Sequence, residues 1–231
     1  MEPNACPWDG FSSPQIDFCE RNLCGWLVEP ANAVSSLAFC AVGVYLLKRA
    51  RKDKTRGFLG LVGLFSILIG VFSFLFHATM TGWGNFLDLT SMCVLGAVML
   101  AVNLGRLHRP FDRHRLSIYL ALVAVSTVLL ALWLHAGVYI FGSLVAGAAL
   151  IEGLLTLRAR RSSKRVIYRY FWASAGLFLA SWGVWLLDIT GKVCDPDNHW
   201  LQGHSLWHVG CAFSVITVYL YFRQFEHAEK L

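Results

Sequence analysis

The stretch that decides the fold is GFLGLVGLFSILIGVFSFLFH, residues 57–77, which contains no Lys, Arg, Asp or Glu. A helix of that length rises about 1.5 Å per residue and spans the roughly 30 Å hydrocarbon core of a bilayer. Six comparable stretches flank it, at roughly Ala31–Leu47, Trp83–Leu104, Leu116–Leu134, Val138–Leu157, Tyr170–Leu187 and His204–Phe222. Only the short turn His135-Ala136-Gly137 parts the fourth of the seven from the fifth. All six prolines fall outside these stretches or at their edges, as unbroken helices require. Composition agrees. Of 231 residues, 56% are hydrophobic and 15% charged, against about a quarter charged in soluble domains. A water-soluble enzyme and a disordered chain are both excluded, and the expected class is an all-α membrane protein, a seven-helix bundle.

A formal net charge of +6 would raise a nucleic-acid partner, but the positions of the charges argue otherwise. Of the 20 Lys and Arg, all but Arg21 and Lys192 fall in the connections after spans one, three and five or in the tail. By the positive-inside rule the N-terminus is expected outside and the C-terminus in the cytoplasm. The expected organisation is an extracytoplasmic cap (1–30), a transmembrane domain (31–222) and a cytoplasmic tail (223–231). The cap lacks the basic and apolar regions of a signal peptide and carries Asp9, Asp17, Glu20 and Glu29. Basic cytoplasmic loops fit a bacterial inner membrane or an endoplasmic-reticulum or Golgi membrane. Cys6, Cys19, Cys24 and Cys194 lie on the outer, oxidising side, where three pairings are possible. Cys40, Cys93 and Cys211 lie within spans and read as small packing residues.

Ionisable residues within spans are expensive and mark sites. Ser73 and His77 share a face of span two, Asp88 lies in span three, Asp188 ends span six, and His204 and His208 open span seven. Residues four apart stand about 40° apart around a helix and about 6 Å along it, so both histidines can point at one ion. The alternating direction of the spans brings His77, Asp88, His204 and His208 to one outer layer. A lone histidine is normally a hydrogen-bonded core residue, and a His-x-x-x-His pair alone is a modest signal. It is the convergence at one depth that argues for metal. Three imidazoles leave the fourth position of a catalytic zinc site open, although copper and iron also accept imidazole. Glu152, near the cytoplasmic end of span five, is expected to snorkel or to pair with a loop arginine. His108, His114 and His227 read as cytoplasmic surface residues, and His135 and His199 as outer-loop residues.

Ser73-x-x-x-His77, Asp88 and His204-x-x-x-His208 together resemble the pattern of the alkaline ceramidases, within a superfamily of seven-span hydrolases that includes adiponectin-receptor-like proteins. Asp17-Phe18-Cys19-Glu20-Arg21-Asn22, followed by Glu29-Pro30-Ala31-Asn32, is similar to the N-terminal stretch of that family, with Phe18 where the family has Trp. Spans four and five match it only in hydropathy. The resemblance implies zinc on His77, His204 and His208. It also implies calcium on Asp17, Glu20, Asn22, Glu29 and the carbonyl of Phe18. Alternating carboxylate and amide oxygens suit a hard cation, yet by spacing alone this run is equally an acidic solvated loop. The resemblance further implies a Cys19–Cys194 disulfide, with Cys6–Cys24 left as the remaining pair, and it gives Asp188 a counterpart without a role. Asp88-Leu89 departs from the family's Asp-Glu.

The implied activity is zinc-dependent cleavage of the ceramide amide, a membrane lipid substrate that would enter sideways from the outer leaflet. Asp88 would serve as general base and acid, and Ser73 as oxyanion donor. Hydrolysis of another lipid ester or phospholipid bond, or a receptor-like or transport bundle with structural zinc, are the competing readings.

Overall fold

The computed structural model describes residues 6–55, 57–159 and 166–226. Of the residues assigned above to basic connections and the tail, Arg56, Arg160, Arg161, Lys164, Arg165, His227 and Lys230 lie outside them. The long elements are all helices: α1 (Pro30–Asp53), α2 (Gly57–Thr79), α3 (Gly82–Leu107), the short α4 (Arg109–Arg113), α5 (Arg115–Leu132), α6 (Gly137–Ala159), α7 (Arg169–Ile189) and α8 (Gly203–Glu226). Among the described residues, seven helical segments are long and apolar enough to cross a membrane, and the chain is a multi-pass membrane protein.

The helices overrun the apolar stretches. Lys48, Arg49, Arg51 and Lys52 continue α1, Arg106 lies in the last turn of α3, and Arg158 lies in the last turn of α6. Lys and Arg are good helix formers, and their charge is favoured where the helix dipole is negative. Much of what reads as basic connection is therefore helix end. The fourth span stops at Leu132, and Leu134–Ala136 form a single tight 3-10 turn before α6.

Two compact units form, one from the described residues of Met1–Asp88 and Ile167–Leu231, the other from Leu89–Val166. In the first, α1 packs on α2 and α8, and α7 on α8. A methyl group built on Gly43 would lie 2.5 Å from the Gly63 carbonyl oxygen, and one on Gly63 would lie 2.7 Å from that of Gly43. The α1 and α2 backbones can touch only because both residues are glycine, the small-residue contact typical of helices in lipid. Ser66 Oγ donates to the Phe39 carbonyl at 2.8 Å across the same seam. Helix α1 buries Asn32, Ser36 and Gly43 while exposing Val34, Leu37 and Val44. Phe39, Val42 and Leu46 are buried beside them, so polar, small and apolar residues share the packed face while the outer face is apolar, as suits a hydrocarbon solvent that gains nothing from apolar burial.

Before α1 the chain is irregular. Disulfides join Cys6 to Cys24 and Cys19 to Cys194, the second tying this segment to the α7–α8 connection. The Arg21 amide donates to the Pro196 carbonyl at 2.9 Å, reinforcing the tie. Trp8, Ile16 and Phe18 pack on Val28, Phe76 and Met80. The amides of Val28 and Glu29 donate to the carbonyls of Ala78 and His77, which docks the segment onto the end of α2. Pro30 then opens α1 at a position where its missing N–H costs nothing.

In the second unit α5 packs on α6. Arg106 of α3 grips the buried Glu152 of α6 with both terminal guanidinium nitrogens and also donates to Asn103 at 2.8 Å. Asn103 in turn donates to the Ala148 carbonyl at 2.9 Å. Glu152 is thus half of a buried, hydrogen-bonded ion pair between helices.

Candidate metal centre

The last turns of α2 carry Ser73 and His77, the start of α8 carries His204 and His208, and α3 supplies Asp88; all five side chains are buried. One ligand atom from each of His77, His204 and His208 lies within 4.8 Å of the other two, and no other group of three or more His, Cys, Asp or Glu meets that test among the described residues. The Nε2 atoms of His77 and His204 are 3.1 Å apart.

The surroundings decide where the protons sit. His77 Nδ1 is 2.7 Å from Glu29 Oε2, which also accepts from Asn32 Nδ2 at 3.1 Å. With Glu29 ionised, its carboxylate meets His77 as an acceptor, which puts the proton on Nδ1 and leaves the Nε2 lone pair free. Ser35 Oγ donates to the Asn32 carbonyl at 2.9 Å, leaving it only as an acceptor for His208 Nδ1, also at 2.9 Å. His208 Nε2 is therefore a lone pair as well. The Nε2 atoms of His77 and His208 thus offer lone pairs in a buried space that the His204 ring shares, a donor set that suits a cation. Outer partners on the far nitrogen are the usual companions of metal-bound histidine. The residues fit a metal ion of the zinc type.

Ser73 Oγ lies 3.3 Å from His208 Nε2, and Ser73 also hydrogen-bonds Asp88. A hydroxyl and a carboxylate thus stand beside the imidazoles. Phe18 covers them, its ring centroid 4.1 Å from that of His204 and 5.1 Å from that of His77.

Burial pushes the Glu29 carboxyl well above the usual carboxylate range; Asn32 opposes the shift, and Glu20, Asp188 and Asp17 add to it as like charges. Glu29 Oε1 is buried with no hydrogen-bond partner. A nearby cation would relieve both costs. Glu20, also buried, accepts from the amides of Ala31 and Asn32, both at 2.9 Å, and contacts His199 Nδ1 at 3.0 Å. It holds the first turn of α1. Asp17 and Asn22 are exposed, and Phe18 is half-buried. The Asp17–Glu29 oxygens fit calcium in their chemistry, and the strained Glu29 carboxylate is the structural reason to consider it. His108, His114 and His135 are exposed.

Three features escape sequence reasoning. Nothing local marks Ser35 as the partner of His208 or Glu29 as the partner of His77, because each contact joins distant helices. Asp188 is the third: Oδ1 accepts from the Cys19 amide at 3.2 Å and Oδ2 from the His204 amide at 3.0 Å.

Comparison with known proteins bears on the family of the chain. The family model described as Ceramidase matches residues 10–231. The alkaline ceramidase YPC1 of Saccharomyces cerevisiae is 25% identical over 247 residues, covering 94% of this chain and 77% of the relative. Alkaline ceramidase 1 of Mus musculus is 25% identical over 234 residues, covering 95% and 84%. Alkaline ceramidase 1 of Homo sapiens is 25% identical over 206 residues, covering 86% and 78%. With all seven spans and the histidine cluster inside the matched region, the chain belongs to the ceramidase family.

Proposed function

We propose that this protein is a zinc-dependent intramembrane amide hydrolase that cleaves ceramide to a long-chain base and a fatty acid. The observation that carries the proposal is the convergence of three buried imidazole nitrogens, two of the rings held at their outer nitrogen by Glu29 and Ser35, beside Ser73 and Asp88. His77, His204 and His208 hold the ion. Bound there, zinc polarises the amide carbonyl and lowers the pKa of water to about 7.

The chain's own groups perform the proton transfers. Asp88 takes a proton from the attacking water and returns one to the departing nitrogen as the C–N bond breaks. Ser73 donates a hydrogen bond to the carbonyl oxygen as it gains negative charge, a contribution of about 3–4 kcal/mol in other hydrolases. Glu29 and Ser35 keep the imidazoles of His77 and His208 turned inward. Phe18 excludes water from one side of the cluster.

Asp17, Glu20, Asn22, Glu29 and the Phe18 carbonyl hold calcium in this reading. Residues 1–30 form an extracytoplasmic cap, residues 31–222 the hydrolase domain and residues 223–231 a cytoplasmic tail, with the site on the extracytoplasmic side. The family relationship supports ceramide as substrate; the relatives are named alkaline ceramidases.

Purified protein is incubated in detergent with ceramide, a lipid ester and a phospholipid, with and without a zinc chelator. Release of a long-chain base from ceramide, stopped by the chelator and restored by zinc, is expected. Cleavage of the ester or phospholipid alone, or chelator-insensitive turnover, would overturn the proposal.

A further inference from the structure

Two of the three histidines are aimed by a partner on the outer nitrogen: Glu29 for His77 and Ser35 for His208. His204 is not. Its Nδ1 is buried and has no hydrogen-bond partner among the described residues. What directs its ring acts through its backbone and through the rings packed on it, Phe18 among them, and one carboxylate bonds the backbone of His204 and the backbone next to Phe18.

Asp188 is 1% exposed at the end of α7. Its Oδ2 accepts the His204 amide at 3.0 Å, in the first turn of α8, where a carboxylate is favoured by the helix dipole. Its Oδ1 accepts the Cys19 amide at 3.2 Å. Cys19 follows Phe18, whose ring lies 4.1 Å from the His204 ring. One carboxylate therefore fixes the backbone that carries the imidazole and the backbone that carries the aromatic ring packed against it. The approach is close: a methyl group on Gly203 would lie 2.7 Å from Asp188 Cβ and 3.1 Å from its Oδ2. The Cys19–Cys194 disulfide closes the same corner from the other side.

We infer that Asp188 is a positioning residue, a clamp between the cap and α8 that sets the direction of the His204 imidazole toward the other two ligands. The inference rests on the proposed metal site. It goes further in assigning the aim of one ligand to a side chain that touches neither metal nor substrate.

Asp188→Asn is the informative variant, because it keeps the shape but offers one acceptor oxygen and an NH2 group to two amide donors. One of the two amides must be released. Zinc affinity is measured by competition with a chelator on the detergent-purified full chain. The visible absorption of the cobalt-loaded protein reports ligand geometry directly. Asp188→Asn is expected to bind zinc about 10–100-fold more weakly, with an altered cobalt spectrum and a fall in kcat at unchanged KM for ceramide. Gly203→Ala retains the carboxylate chemically, but its methyl group displaces the Asp188 side chain from the His204 amide, and it is expected to shift the cobalt spectrum in the same sense. If Asp188→Asn fails to fold, Gly203→Ala decides alone. Wild-type zinc affinity and a wild-type cobalt spectrum in the folded variants would overturn the inference while leaving the metal site intact. Failure of the wild-type protein to bind zinc would instead refute the underlying proposal.

Discussion

Replacing Glu29 with Gln removes a charge and little else. The Glu29 and His77 side chains are both 0% exposed and 2.7 Å apart. A hydrogen bond to a charged group is worth about 1.5–3 kcal/mol and a neutral one about 0.5–1.5. The imidazole thus loses about 1–1.5 kcal/mol of support for the form in which Nε2 is free to bind metal. Since 1.4 kcal/mol is a factor of about ten, zinc affinity should fall about tenfold. That is the lower end of the range of about 10–100-fold seen when outer partners of metal-bound histidines are removed. The new NH2 group would occupy the space of Oε1, which already lacks a partner, and the substitution removes a carboxylate that burial and the charges of Glu20, Asp188 and Asp17 disfavour, so the metal-free protein should keep its stability or gain some. Chelator competition in detergent reads the first effect and thermal unfolding the second. Measuring zinc affinity with and without calcium separates the loss at His77 from any loss of calcium at Glu29. Unchanged zinc affinity in Glu29→Gln would show that the Glu29–His77 contact does not orient a ligand.

Three further outcomes are expected. Ser73→Ala should lower kcat by about 100–1,000-fold with zinc content unchanged; a mild effect on kcat would remove Ser73 from the oxyanion role. Gly43→Ala forces a methyl group against the Gly63 carbonyl and should cost about 1–3 kcal/mol, seen as a lowered Tm, and an unchanged Tm would mean that α1 and α2 are not in contact. Glu152→Ala removes the carboxylate that Arg106, half-buried and still bonded to Asn103, pairs with and should destabilise by less than the roughly 3–5 kcal/mol of a fully buried pair; substituting both residues by apolar ones should recover much of that loss, and no recovery would point to another role for the pair.

The seven spans are legible in the sequence because lipid imposes one requirement, a helix of sufficient apolar length, that hydropathy reads directly. The ends are less legible. Lys48 to Lys52 look like a loop because they are charged, yet helix continues through them to Asp53. His204 and His208 could be placed together from their spacing, and His77 from the alternating direction of the spans. The residues that aim these imidazoles were hidden because each acts across chain distance: Glu29 is 48 residues from His77, and Ser35 is 173 from His208. Glu152 looks anomalous until α3 and α6 place Arg106 against it, a contact 46 residues apart. Asp188 is marked in the sequence as an acid at the end of span six, with a counterpart in the resembled family but no role. Its two bonds go to backbone amides, which carry no sequence signature.

The central claim is that three imidazoles from α2 and α8 share one zinc ion. Metal analysis of the purified full-length protein beside its His208→Ala variant tests it most directly. One zinc per chain in the wild type, and loss of both zinc and ceramide turnover in a variant that still elutes as folded protein, is the expected result. Full zinc occupancy in the variant, or none in the wild type after purification with zinc present, would contradict it.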